Sequence, residues 1–349
     1  MKAMMLWEPE RMEMVDLELR PLRRGEVLLK VEACSICGSD LEGYHGWHPK
    51  MTYPRVMGHE AASTVVEVGP GVSEVAVGDR VAGGEALPCG KCARCREGRT
   101  DECLTPLGPG FTAHGAYAEY FIGMAKRCTR IPDGISFAEA AVAQPAAIAR
   151  HAVVTRAAIQ SGELVLIQGC GPIGLSAMML AKLQGARVIS TDIVDYRCEM
   201  ARELGADHVY NAHRDNVYDE IMSLTLGKGV DKVIEVVGGA QDETLPQAVQ
   251  CVKRGGLVAV VGSFAENRAT LPVVDFKFNE KTVLGSQSMP EGYGPIFDLV
   301  LAGKLDLMRL VSHRLPLAMA EHGLRLMDAK AEKVMKVVIE PWREESHRL

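Results

Sequence analysis

Four cysteines crowd one short Gly-rich stretch, Cys89, Cys92, Cys95 and Cys103, spaced C-x2-C-x2-C-x7-C. Four thiolates at that density can close a tetrahedron around Zn²⁺ and leave no position for a substrate, so the chemistry they indicate is structural: a metal that staples a lobe with little core of its own. An iron–sulfur cluster is the chemical alternative for the same ligand set. A second group is Cys37-Gly38-Ser39-Asp40 with Gly58-His59-Glu60, His59 following Cys37 by 22 residues. Cysteine and histidine both suit Zn²⁺, and three protein ligands plus a water make a catalytic metal site. Spacing alone leaves open that this pair is simply buried core. Asp40 adds weight to the metal reading, because a carboxylate is the usual partner of a metal-bound imidazole.

The third group is Gly169-Cys170-Gly171-Pro172-Ile173-Gly174, which follows the apolar run LVLIQ and opens a helical pattern. That context is what a dinucleotide fingerprint requires. The first glycine makes the turn, the second lets a pyrophosphate approach and the third packs helix on strand. The N–H groups of the opening helical turn then bind the phosphates. Asp192 ends the next strand, 18 residues after Gly174. A carboxylate there accepts both ribose hydroxyls and repels a 2′-phosphate, so NAD is expected rather than NADP. The plain alternative is an acidic turn residue. Arg197 either bridges to the adenosine or is a solvated helix residue.

These groups need a scaffold, and its pattern changes along the chain. Up to about residue 145 the sequence reads as short strands and turns, with apolar runs at 26–33 (EVLLKVEA) and 63–68 (STVVEV) and turn signals such as Gly69-Pro70-Gly71 and Pro132-Asp133-Gly134. Residues 138–160, Ala-rich and without glycine, read as helix. Strand and helix then alternate: strand Leu164–Gln168, helix at about 173–184, strand 187–191, helix at about 196–204, and strands Val233–Val237 and Leu257–Val261. Such alternation predicts a parallel α/β sheet. Strand Thr282–Leu284, helices near 293–303 and 317–328, and a closing strand Val334–Ile339 complete the chain, with no internal repeat.

Composition bounds the function. A chain of 349 residues predicts two domains. The 39 Lys plus Arg against 45 Asp plus Glu leave a net charge of −6 without long runs, which argues against nucleic acid or an anionic membrane as partner. No stretch approaches about 18 uninterrupted apolar residues, and Glu8 and Glu10 come too early for a signal peptide. The expected location is cytoplasmic, where clustered cysteines point to metal or catalysis rather than disulfides. The 17 methionines read as core filler, and Cys34, Cys128, Cys170, Cys198 and Cys251 as small buried residues without ligand spacing.

In order and spacing the three groups together resemble the zinc-containing medium-chain alcohol dehydrogenase family. The resemblance covers essentially the whole chain, including VGDRV at 77–81, GAYAEY at 115–120 and RGGLVAVVG at 254–262. The Cys-Gly-Ser-Asp motif is closer to the sorbitol, butanediol and threonine dehydrogenases than to the ethanol type. The resemblance implies an α/β architecture: a GroES-like, β-rich catalytic domain over 1–145 and 288–349, and a doubly wound parallel-sheet Rossmann domain binding NAD over 146–287, with the active site in the cleft between them. It implies a homodimer or homotetramer. It further implies that Cys37 and His59 ligate a catalytic zinc, that Asp40 orients His59, and that Ser39 relays the substrate proton. The implied activity is oxidation of a secondary alcohol (a polyol, cyclitol or sugar derivative) to a ketone with hydride transfer to NAD. The alternatives are a ketone or aldehyde reductase and a catalytically silent structural relative.

Departures from the family pattern sharpen the expectation. Gln144 stands where the family carries Glu, Asp or Cys, and an amide is a poorer Zn²⁺ ligand than a carboxylate. Glu60 is therefore the expected third ligand, with Gln144 hydrogen-bonding the substrate oxygen. Glu42 replaces a relay histidine, Ser63 replaces a glycine, and Ser288-Met289 fall where sorbitol dehydrogenases carry Arg-Tyr. Tyr44, His45, Trp47 and His48 either line the substrate pocket or pack as an ordinary loop.

Overall fold

The computed structural model describes residues 1–84, 87–99, 103–239, 241–263, 268–287, 289, 291–344 and 347–348. The chain divides into two compact units, Met1–Ala143 with Asp306–Leu349, and Gln144–Leu305. The return to the first unit thus falls at Asp306, later than the expected residue 288, because the helix Gly294–Leu301 belongs with the second unit.

The second unit begins its sheet with β1 (Leu164–Gln168), which is buried at every position. A strand apolar on both faces must be covered on both, as parallel sheets are. It is followed by α1 (Pro172–Leu183), β2 (Arg187–Asp192), α2 (Asp195–Glu203), β3 (His208–Asn211), α3 (Val217–Leu224), β4 (Val230–Glu235), α4 (Gln241–Cys251), β5 (Val252–Val260), α5 (Val273–Phe278), β6 (Thr282–Gly285) and α6 (Gly294–Leu301). The six strands are parallel in the order β3-β2-β1-β4-β5-β6. This is the doubly wound dinucleotide-binding order, whose direction reverses beside β1, the strand carrying the glycine-rich turn. One core cluster joins Leu164, Leu166, Ile189, Val233, Leu245, Val249 and Val258. Sequence pattern did not single out β3, α3, α4 or α5. The stretch 138–160 is not one helix. It comprises the α-helix Phe137–Arg150 and a wider π-turned segment, His151–Arg156, closed by bonds such as Ala157 N–H to the Ala152 carbonyl at 2.8 Å.

In the first unit a mixed sheet runs in the order 347–348, Val311–Pro316, Lys336–Glu340, Glu26–Ser35, Glu60–Val68, Arg80–Gly83, Cys128–Arg130, with Tyr120–Met124 also paired to Glu26–Ser35. Its core gathers Leu29, Val31, Val65, Tyr117, Phe121, Leu324 and Val337. The register decides where chemistry falls. Glu26–Ser35 and Glu60–Val68 are antiparallel with Ser35 opposite Glu60, so Cys37, just past one strand end, comes beside His59, just before the other. Lys336–Glu340 flanks the same strand end, with Val338 opposite Ser35. Among the described residues no helix is long and apolar enough to cross a membrane.

Candidate metal and nucleotide sites

Cys37 is the N-cap of the helix Gly38–Tyr44. Its side chain accepts from the Asp40 N–H, and the Asp40 carboxylate accepts from the Cys37 N–H at 2.9 Å, a capping box that fixes both residues. Gly58 turns the chain into His59 with φ of +89°, and a Cβ there would lie 2.5 Å from the Tyr117 ring. The result is that one ligand atom each of Cys37, His59 and Glu60 lies within 4.8 Å of the others. Asp40 Oδ1 stands 3.4 Å from His59 Nδ1, which leaves Nε2 for a cation. Tyr117 donates to Asp40 Oδ2 at 2.8 Å. Glu60 is 1% exposed, and its Oε1 has no hydrogen-bond partner among the described residues. A buried carboxylate oxygen left without a donor costs free energy that a metal ion recovers, so the donor set fits Zn²⁺.

The electrostatics agree. Burial alone would raise the Asp40 carboxyl, but His59 and the hydrogen bonds from Cys37 and Tyr117 hold it below its ordinary value. Burial would lower the Lys336 ammonium, and Glu60 at 2.5 Å keeps it above its ordinary value. Burial likewise lifts the Glu42 carboxyl. Ser39 lies half-buried in the first turn of the same helix. Gln144 lies on the helix Phe137–Arg150, at the first residue of the second unit.

The other thiol group also assembles. Cys89, Cys92, Cys95 and Cys103 bring their sulfurs together, with Cys89 and Cys95 Sγ 4.0 Å apart and Cys92 and Cys103 Sγ 3.9 Å apart. Hydrogen bonds from Thr105 and the Lys91 N–H lower the Cys89 thiol to about 5, whereas desolvation and the neighbouring sulfurs push Cys95 up to about 12. Four sulfurs this close cannot all ionise unaided, and a dication relieves that repulsion.

In the glycine-rich turn each glycine has its own reason. Gly169 has φ of +98°, a Cβ on Gly171 would meet open space, and a Cβ on Gly174 would fall 1.8 Å from the Gly169 carbonyl oxygen. Gly171 is the N-cap of α1 and Pro172 its first residue, followed by Ile173. The loop is tied to β2 by Asp192, whose Oδ2 accepts from the Cys170 N–H at 2.8 Å and whose Oδ1 accepts from the Val194 N–H at 2.9 Å. Arg197 is half-buried in α2, near the Tyr196 ring.

Two family models match this chain: an alcohol dehydrogenase GroES-like domain over residues 23–133 and a zinc-binding dehydrogenase domain over 172–300. A sorbitol dehydrogenase of Bombyx mori is 35% identical over 328 residues, 90% of this chain and 91% of the relative. The chain belongs to the zinc-type medium-chain alcohol dehydrogenase family. An L-threonine 3-dehydrogenase of Pyrococcus abyssi is 36% identical over 86% of this chain and 87% of its own. Among solved structures, a zinc-binding dehydrogenase of Sinorhizobium meliloti bound to NADP superposes with a TM-score of 0.86 at 32% identity, covering 97% of this chain and 99% of that one. The expected two-part architecture, GroES-like and Rossmann, and the expected zinc-dependent alcohol dehydrogenase chemistry are thereby met.

Within this dehydrogenase the loop after Cys37 divides. Tyr44 is buried and donates to Glu321 Oε1 at 2.8 Å, and His45 contacts Glu10 at 2.7 Å and Asp328 at 3.3 Å while stacking on Trp47. These two serve packing. His48 instead stacks on Phe111, whose ring centroid lies 5.0 Å from that of His59. Ser288 lies outside the described residues. Sequence reasoning missed Phe111, Tyr117, Ser35 and Lys336. Only Lys336 carried a signal, as a charge inside the apolar run VMKVVI.

With two ligand groups on the chain, metal analysis should find two zinc ions per chain. Cys95→Ser should remove one of them and lower the unfolding temperature while leaving KM for the alcohol unchanged. Loss of turnover with both ions retained would contradict the structural assignment.

Proposed function

We propose that this chain oxidises a secondary alcohol, of the polyol, cyclitol or sugar-derivative class, to the ketone with NAD as hydride acceptor. The observation that carries the reading is that one ligand atom each of Cys37, His59 and Glu60 lies within 4.8 Å of the others, with Glu60 Oε1 buried and unpartnered and Asp40 backing His59. Cys37, His59 and Glu60 are the protein ligands in this reading. Bound there, Zn²⁺ supplies a Lewis acid that polarises the alcohol oxygen and lowers the pKa of its proton. Ser39 receives that proton. Asp40, clamped by the Cys37 N–H and Tyr117, orients His59 and fixes its tautomer. Gln144 is assigned to hydrogen-bond the substrate oxygen. The substrate class rests on the sorbitol and threonine dehydrogenase relatives, both of which oxidise hydroxyl-bearing substrates by name.

Removal of a hydride from the carbinol carbon needs an acceptor, and NAD suits the second unit. The turn from Gly169 to Gly174, with Cys170, Pro172 and Ile173 between, offers the N-terminus of α1 to a pyrophosphate. Asp192 keeps free lone pairs for ribose hydroxyls, and its charge opposes a 2′-phosphate. The Sinorhizobium relative is bound to NADP, so Asp192 is the feature that argues for NAD here. Arg197 is assigned to the adenosine. The ten free cysteines, four of them clustered, suit a reducing, cytoplasmic compartment.

A homodimer or homotetramer is supported by the outer end of the parallel sheet. Among the described residues β6 is an edge strand, and the helix leading to it, α5, exposes Val273 by 66%, Val274 by 71% and Phe278 by 69%. An apolar face beside an unpaired edge is a self-association surface, and a second copy of the chain covers both.

Three tests follow from this reading. A panel of secondary alcohols, polyols and cyclitols, assayed with NAD and NADP in parallel, should show turnover with kcat/KM at least about tenfold higher for NAD. Asp192→Ala should raise KM for NAD and narrow that ratio, whereas a wild type preferring NADP overturns the ribose argument. Glu60→Gln should lower zinc occupancy and rate by roughly 10–100-fold, while Gln144→Ala should lower mainly rate. A zinc-loaded crystal structure with Glu60 well beyond about 2.0–2.2 Å from the ion and Gln144 inside that distance would reverse the two roles. Sedimentation should give the mass of two or four chains, and Phe278→Glu should shift it toward one.

A further inference from the structure

Lysine is rarely fully buried, because taking an ammonium out of water costs several kcal/mol unless a partner compensates. Lys336 is 2% exposed, at the first residue of the strand Lys336–Glu340. Its Nζ lies 2.5 Å from Glu60 Oε2 and donates to the Ile36 carbonyl at 2.7 Å, next to Cys37. Ser35 Oγ donates to the same Glu60 oxygen. The two oxygens of Glu60 are thus unequal. Oε2 is occupied by two protein donors, and Oε1 is buried with none. An ion pair whose only task was to hold strands together would not need to leave one oxygen empty on a carboxylate that comes within 4.8 Å of a cysteine and a histidine.

We propose that Lys336 is a positioning residue for the metal centre: it pins Glu60 through Oε2 so that only Oε1 is offered to the metal, and its charge keeps the centre cationic. The inference rests on the reading of Cys37, His59 and Glu60 as zinc ligands. A thiolate and a carboxylate together cancel a divalent cation, and a neutral centre is a weaker Lewis acid. Lys336 returns one positive charge at hydrogen-bond distance from the ligand. The arrangement accounts for the use of a carboxylate ligand without loss of polarising power.

The electrostatic role and a merely structural one predict opposite signs for metal affinity. The full-length chain, Lys336→Met, Lys336→Gln and Lys336→Arg would be compared by zinc competition with a chromophoric chelator, by the visible spectrum of the Co²⁺-substituted protein, and by kcat and KM on the best alcohol of the panel. Lys336→Met removes the repulsion between ammonium and dication. It should hold the Cys37-site zinc at least about tenfold more tightly while kcat falls by about tenfold or more. The cobalt absorption bands should shift as Glu60 Oε2 is released to the metal, and KM for NAD should not change. Lys336→Gln keeps hydrogen-bond donors but not the charge, and gives the same changes in affinity and kcat should the Met variant fail to fold. Lys336→Arg should restore kcat to within about threefold of wild type with the wild-type cobalt spectrum. Zinc held more weakly in both neutral variants, or affinity and spectrum unchanged in them, overturns the inference alone. A wild type holding a single zinc, or Glu60→Gln with wild-type zinc content and rate, overturns the zinc-site reading and the inference with it.

Discussion

An ionised side chain removed from water must meet an opposite charge or a set of hydrogen bonds, and the first unit is arranged around that condition. Asp40 is fully buried, Glu60 is 1% exposed and Lys336 is 2% exposed. None is compensated from its own element alone. Asp40 depends on Tyr117 and His59, Glu60 on Ser35 and Lys336, and Lys336 on the Ile36 carbonyl. The antiparallel register of Ser35 with Glu60, and of Ser35 with Val338, brings these groups together. Shifting either pairing by one residue would turn the buried charges to the wrong face of the sheet and leave each without its partner. Sheet, helix cap and ligand set are therefore one constraint expressed at three scales.

The second unit answers to a steric rule instead. There is no room for a side chain at Gly174, where a Cβ would sit 1.8 Å from a carbonyl oxygen, and open space at Gly171, where a Cβ would meet nothing. Closeness at one glycine brings α1 down onto β1, and emptiness at the other keeps a passage open to the helix N-terminus. Asp192 joins the two halves of the motif by accepting backbone N–H groups from both the glycine-rich loop and the start of the following turn.

How much of this was legible in the sequence depended on whether a residue's chemistry is visible without its partner. Clustered thiols and a Gly-His-Glu announce themselves by type and spacing, and the side chains of each group come within 4.8 Å of one another. LVLIQ declares a strand covered on both faces because its first four residues, which alternate between the faces, are all apolar. By contrast β3, with the sequence HVYN and only its last residue fully buried, has no period to detect, and Pro246 masks the helical pattern of α4. The stretch after Arg150 keeps helical composition while its turns widen, a change that no local residue preference encodes. Lys336 showed as a charge inside an apolar run, but its role was hidden for another reason. A lysine in a strand ordinarily points to solvent, and the carboxylate that explains it belongs to a strand far earlier in the chain. Tyr44 and His45 were ambiguous until their partners Glu321, Glu10 and Asp328 were placed.

That separation bears on biosynthesis. Ile36, whose carbonyl receives the Lys336 ammonium, precedes it by 300 residues. At about 5–20 residues per second, a ribosome exposes Cys37, His59 and Glu60 on the order of tens of seconds before Lys336 emerges. Throughout that interval the nascent amino-terminal segment lacks both the ammonium that balances Glu60 and the strand Lys336–Glu340, which pairs with Ser35 through Val338. The first unit therefore matures last, after the nucleotide-binding unit inserted within it has been synthesised in full. A stop codon between residues 103 and 336 would yield a chain with every candidate metal ligand present and its buried carboxylate uncompensated.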